Sequence, residues 1–149
     1  MYKRQLRDGG NAVDAAVAAA GVLGVVEPFS AGIGGGGFMV IRTKDGKVTT
    51  VDSRETAPAA MSPTSFFANG QPLEFDDARL SGLSAGVPGT VRGWDLALDE
   101  YGTWPLGRAL KPGIKVADKG FPVDGTFARQ IENNQACLLY TSPSPRDRS

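Results

Sequence analysis

The stretch from Val25 to Pro58, VVEPFSAGIGGGGFMVIRTKDGKVTTVDSRETAP, constrains this chain more than any other. A helix-like apolar segment stops at Glu27–Pro28, and a glycine cluster (Gly32, Gly34, Gly35, Gly36, Gly37) follows. Without a Cβ in the way, such a cluster lets backbone approach backbone or ligand closely. Asp45-Gly46 then separates two β-rich runs, Phe38–Ile41 and Val48–Val51, which predicts a hairpin. That hairpin delivers Arg54 to the end of its second strand, just before Ala57-Pro58, and Arg54 is the candidate functional residue.

The bulk numbers exclude several function classes. The 149 residues are enough for one domain but not comfortably two. Sixteen Lys+Arg balance 16 Asp+Glu, so there is no basic field to hold nucleic acid and no polybasic membrane signal. The chain has one cysteine, Cys137, and no histidine. Disulfide frameworks and zinc sites need more ligands than that, and a Ser-His-Asp or Cys-His mechanism is excluded within these residues. The longest apolar run, Ala15–Val26, is shorter than the roughly 20 residues that span a bilayer.

Along the chain, Met1–Gln5 (MYKRQ) lacks an apolar pattern. Asn11 reads as the N-cap of a helix over Ala12–Leu23, with Asp14 near its positive end. That helix is apolar on nearly every face and should be sandwiched, with Gly24 and Pro28 marking its end. The continuous run Phe38–Ile41 predicts a strand covered on both faces. Ser62-Pro63 reads as a helix start anchored by Phe66 and Phe67 and closed by Asn69-Gly70. Gln71–Ser81 reads as loop and Leu83–Gly86 as a short strand. Val91, Trp94, Leu98 and Tyr101 recur at helical spacing, and Gly102 occupies the place of a left-handed C-terminal cap. Leu106–Asp118 is helical with a kink or join at Pro112, ended by Gly120, and Asp124 caps a helix over 125–134. From Cys137 on, serine, proline and arginine occur without period.

Gly32, Gly34 and Gly37 formally satisfy G-x-G-x-x-G, so a nucleotide-binding module on Gly32–Gly37 is the rival from another function class. That motif needs a strand before it and a helix after it, whereas this sequence reads helix, turn, strand. Arg54 alone could be a surface arginine paired with Glu55. Its place beside a glycine-lined turn favours recognition of a carboxylate, which a guanidinium grips in bidentate fashion. Asp14, Asp52 and Glu55 read as capping or ion-pair partners rather than acid–base catalysts. Thr56 is internal and has no α-amino group to act as its base. Trp94 and Trp104 read as core or cover residues.

Five segments in order carry a family resemblance: GGNAVDAAVAAA (Gly9–Ala20), VVEPFSAGIGGGGF (Val25–Phe38), RETAP (Arg54–Pro58), VPGTVRGW (Val87–Trp94) and KPGIKVADKGFPV (Lys111–Val123). Over Leu6–Ala136 the chain resembles the first part of the large subunit of the γ-glutamyltranspeptidase family. The resemblance implies an α/β (α+β) chain, a truncated piece of the αββα sandwich of N-terminal-nucleophile hydrolases. It also implies a precursor that cleaves itself into two subunits. The new N-terminal threonine then transfers the γ-glutamyl group of glutathione and related compounds to water, amino acids or peptides, with no cofactor or metal. By position, Arg54 of RETAP corresponds to the family arginine that grips the glutamyl α-carboxylate.

On this reading no catalytic residue is present, because the nucleophilic threonine lies outside these residues, and Arg54 is the one substrate-binding residue. The partners are the γ-glutamyl substrate, the remainder of the large subunit and the small subunit. A periplasmic or extracellular location is implied by the family alone. Residues 1–5 read as a non-native leader and residues 137–149 as a non-native or disordered tail. A cephalosporin or glutaryl acylase is the nearest rival within the same fold. With its covering layers outside these residues, the fragment is expected to be inactive and prone to association.

Overall fold

The computed structural model describes residues 2–141. In chain order the elements are α1 (Tyr2–Arg7), α2 (Ala12–Val26), α3 (Pro28–Ala31), β1 (Phe38–Arg42), β2 (Val48–Asp52), β3 (Phe67–Ala68) and β4 (Gln71–Pro72). They continue with α4 (Phe75–Leu80), a 3₁₀ turn (Gly82–Ser84), α5 (Thr90–Tyr101), α6 (Leu106–Ala109), α7 (Lys111–Lys119), α8 (Gly125–Asn133) and α9 (Gln135–Thr141). Among the described residues two compact units result, one drawn from 2–62 with 86–121 and the other from 63–85 with 122–141.

The first unit is built on α2. Its start is a full capping box: the Asn11 side chain accepts from Val13 N and Asp14 N, and the Asp14 carboxylate accepts from Asn11 N. These bonds satisfy donors that a bare helix end would leave unpaired. The helix runs through Gly24 to Val26, longer than its composition predicts. It packs on α1, α3, α5, α6 and α7, leaving only Ala12, Ala16 and Leu23 exposed. The sandwiched helix read from the sequence is therefore the one observed. Where it crosses α7, a Cβ on Gly113 would lie 2.7 Å from the Gly21 carbonyl oxygen, so the two helices meet backbone to backbone.

β1 and β2 form the expected antiparallel hairpin, pairing Phe38 with Asp52 and Arg42 with Val48. Gly46, at φ +89°, supplies the left-handed residue of its turn. Ile41 and Val51 enter a core with Val13, Val17, Trp94, Ala97, Leu98 and Ala109, and Met39 packs against it. The other face stays open, with Phe38, Val40 and Val48 at 67%, 70% and 59% exposed. Coverage of β1 on both faces is thus corrected: alternation sends only every second residue inward, and nothing among the described residues closes over the rest.

α5 takes the predicted place, burying Trp94, Ala97 and Leu98. Gly102, however, is extended at φ −84° rather than left-handed. It is needed for space, since a Cβ there would lie 2.7 Å from the Leu98 carbonyl oxygen. Pro112 sits in the first turn of α7, so the break it marks is a join between α6 and α7. Gly120 ends α7 at φ +75°.

The second unit corrects three expectations. The short helix expected to start at Pro63 and close at Asn69-Gly70 does not form: Asn69 (φ +52°) and Gly70 (φ +76°) are the turn of the two-residue hairpin β3–β4. Gln71–Ser81, expected as loop, contains β4 and α4. Leu83–Gly86 is not a strand, because Gly82–Ser84 is a 3₁₀ turn with the Ser81 hydroxyl accepting from Leu83 N. Asp124 caps α8 as expected, accepting from Thr126 N and Phe127 N. The terminal segments read as patternless are helical at Tyr2–Arg7 and Gln135–Thr141. Met1 and the tail residues 142–149 lie outside the described residues.

Candidate functional site

A cavity of about 680 Å³ opens in the first unit beside the glycine cluster. Its walls are α3, the turn 32–37, the hairpin residues Met39 and Val51, Ser53–Glu55, and Thr90, Gly93 and Trp94 of α5. The element order across the cluster is α3, turn, β1. That is the reverse of what a dinucleotide-binding glycine loop requires, and the nucleotide reading falls on it.

The turn is clamped to α5 through one carbonyl. Gly35 O accepts from Gly89 N and Thr90 N, both at 3.1 Å, doing for α5 the work of a side-chain cap, which it lacks. The backbone after β2 is held nearly residue by residue. Ser53 N and Ser53 Oγ both donate to Gly37 O, at 2.9 and 3.0 Å. Arg54 N donates to Asp52 Oδ1 at 2.9 Å. Val87 N donates to Thr56 O at 2.9 Å, and Thr56 N answers to Val87 O at 3.4 Å.

Arg54 stands two residues beyond β2 and lines the cavity with a side chain that is 58% exposed. Its Nε lies 3.4 Å from Glu55 Oε2, a buried oxygen with no hydrogen bond. Among the described residues the guanidinium has that ion pair and no hydrogen bond, so its donor fork is open to a ligand. The start of α5 borders the same space at Thr90 and adds the positive end of a helix dipole. Glu55 lines the same cavity, so this corner sets a guanidinium and a helix start beside one carboxylate. Of the hydroxyls lining the cavity, Ser53 Oγ donates to Gly37 O and Ser30 Oγ to Glu27 Oε1 at 3.0 Å, and the sequence has no histidine.

The other candidates fall elsewhere. Asp14 is fully buried away from the cavity lining. Its Oδ1 accepts from Thr103 N and Trp104 N, each at 2.9 Å, and its Oδ2 from Asn11 N at 2.6 Å and Thr103 Oγ1 at 2.7 Å. It is a capping partner, as read, but it also ties α2 to the loop after α5. Burial pushes its carboxyl up, and the four hydrogen bonds pull it further down, below its ordinary value of 3.8. Trp94 belongs to both core and cavity wall, and Trp104 is buried beneath the Arg108 guanidinium, 4.1 Å from the ring centroid. Cys137 lies in α9. Among the described residues no group of three or more His, Cys, Asp or Glu is placed to hold a metal. Nor is any helix of the described residues long and apolar enough to cross a membrane. Sequence reading gave no site role to Ser53 or to the start of α5, although the segment VPGTVRGW that holds that start was singled out.

The sequence model of gamma-glutamyltranspeptidase matches residues 3–147. The glutathione hydrolase proenzyme of Bacillus subtilis is 45% identical over 141 residues, covering 92% of this chain and 24% of the relative. The chain therefore spans about a quarter of the length of the curated relatives it matches. The crystal structure of Helicobacter pylori gamma-glutamyltranspeptidase superposes with a TM-score of 0.89 at 36% identity, covering 95% of this chain and 40% of that one. A cephalosporin acylase from Bacillus halodurans superposes with a TM-score of 0.81 at 31% identity, over 95% of this chain and 26% of that one.

Proposed function

The chain belongs to the gamma-glutamyltranspeptidase family, and we propose that in the complete protein it holds the glutamyl end of glutathione or a related γ-glutamyl donor. The observation that carries this reading is Arg54, which lines a glycine-rich cavity with an exposed guanidinium held by one ion pair and no hydrogen bond among the described residues. A planar fork of donors matches the α-carboxylate of a glutamyl group. The reaction is acyl transfer: a threonine hydroxyl supplied by polypeptide outside these residues attacks the γ-amide carbon. The glutamyl group is thereby joined to the enzyme, the amine leaves, and water or an amino acid then takes the acyl group. These residues contribute binding and orientation, and no bond is made or broken by them.

Removing the fork tests the reading. In the full-length enzyme, Arg54→Ala deletes charged hydrogen bonds contributing about 1.5–3 kcal/mol each. KM for a γ-glutamyl donor should rise about tenfold or more, with little change for an analogue lacking the α-carboxylate. Equal effects on both donors would remove the role. The likeness to a cephalosporin acylase keeps a glutaryl donor as the second reading. Faster turnover of a glutaryl than a γ-glutamyl amide by the parent enzyme would select it.

A further inference from the structure

Arg54 is a long, half-exposed side chain with one ion pair, so its direction must be set by the backbone beneath it. That backbone passes through an unusually tight place. A Cβ added to Gly36 would overlap the Ser53 carbonyl oxygen and lie 2.7 Å from Arg54 Cα and 2.8 Å from Glu55 N. One added to Gly89 would overlap the same carbonyl oxygen and lie 2.9 Å from the Ser53 carbonyl carbon. One added to Gly93 would lie 2.5 Å from Ser53 Cβ and 2.8 Å from Ser53 Oγ. Two separate segments, the glycine turn and the start of α5, thus press bare backbone against one residue. The Gly35 carbonyl, accepting from Gly89 N and Thr90 N, locks those two walls together.

We propose that Gly36, Gly89 and Gly93 are positioning residues for Arg54, forming a socket around Ser53 that fixes the direction in which the guanidinium enters the cavity. They act on Arg54 through Ser53 and the backbone on either side of it. They act because two of the three would meet backbone atoms, which cannot swing aside as a flexible side chain can. The inference rests on the reading of Arg54 as a carboxylate grip and adds what holds that grip in place.

The test uses the full-length enzyme carrying this segment. Gly93→Ala should raise KM for a γ-glutamyl donor about tenfold to a hundredfold, the cost of misplacing a binding group by about 1 Å, while leaving an analogue without the α-carboxylate nearly unmoved. Adding Ser53→Gly removes the atoms that the new methyl meets and should restore the parental KM. Adding Ser53→Ala keeps Cβ and should not. Gly36→Ala meets backbone, so Ser53→Gly should leave its defect in place. An equal rise for both donors in Gly93→Ala, or no recovery with Ser53→Gly, overturns the socket. Should Gly93→Ala fail to mature, the Ser53→Gly/Gly93→Ala enzyme must mature with the parental KM, or the inference fails. Arg54→Ala assayed beside them separates the two claims. If it spares neither donor, the carboxylate grip is wrong. If it is selective and Gly93→Ala is not, only the socket is wrong.

Discussion

The sharpest structural prediction concerns Asp14, because its two oxygens do different work. Oδ1 accepts from two backbone amides, Thr103 N and Trp104 N, which cannot reorient. Oδ2 accepts from Asn11 N and from the Thr103 hydroxyl, which can rotate. In Asp14→Asn the amide oxygen keeps the first pair, and the new NH₂ donates to the turned Thr103 hydroxyl. Only Asn11 N is stranded, at a cost of about 1.5–3 kcal/mol. In Asp14→Ala three backbone donors lose their acceptor at about 1–3 kcal/mol each, a large part of the ~5–15 kcal/mol that holds a domain together. Amide hydrogen exchange reads this locally. Asp14→Asn should speed exchange at Asn11 about tenfold or more while sparing Trp104, and Asp14→Ala should speed Thr103 and Trp104 as well. Near-equal exchange at Trp104 in the parent and Asp14→Ala would refute the assignment, as would an Asn variant as damaged as the Ala one. The pH dependence has a definite sign. The folded carboxyl lies below its ordinary 3.8, so its stabilisation is present above that value and is lost as pH falls through the folded pKa. Asp14→Asn should abolish that acid-side loss of protection at Trp104.

Gln5 is 3% exposed and its Oε1 has no hydrogen-bond partner. Gln5→Leu should therefore stabilise the chain by about 1–3 kcal/mol, seen as a higher midpoint in a thermal melt followed by tryptophan fluorescence. The open face of the hairpin, with Val40 70% exposed and Phe38 67%, should drive self-association of the isolated chain at micromolar concentration. Val40→Thr with Phe38→Thr should shift sedimentation velocity toward monomer, and a parent chain that is monomeric with a sharp cooperative melt would contradict this.

What the sequence disclosed and what it hid divide along a physical line. Local signals were legible where one conformation serves them: the Asn11 cap, the Asp124 cap, and the hairpin turn at Asp45-Gly46. Asn69-Gly70 misled because a left-handed Asn-Gly pair can end a helix or turn a hairpin, and here it does the second. Gly102 misled for a related reason: its missing side chain serves the Leu98 carbonyl and Asp14, not φ. Asp14 was legible as a cap, but its bonds to Thr103 and Trp104 span 89 and 90 residues, beyond any spacing rule. At the site, Arg54 stood out as a charge after a glycine turn. Ser53 did not, since its part is to be crowded by glycines that neither periodicity nor composition brings together.

Register joins these parts. Burial alternates from β2 into the segment beyond it: Val51 is buried, Asp52 exposed, Ser53 half-buried, Arg54 exposed and Glu55 half-buried. The alternation therefore continues past the last paired residue, with Ser53 packed among Gly36, Gly89 and Gly93 and the Arg54 side chain more exposed. A slip of one residue would exchange them, sending a guanidinium stem against Gly36, Gly89 and Gly93, where even one methyl group has no room. The inward set Met39, Ile41 and Val51 resists that slip through the core, and the Asp45-Gly46 turn resists it through loop length. The apolar alternation that folds the hairpin is thus the same feature that decides which side chain is crowded by the glycines and which stays exposed along the cavity.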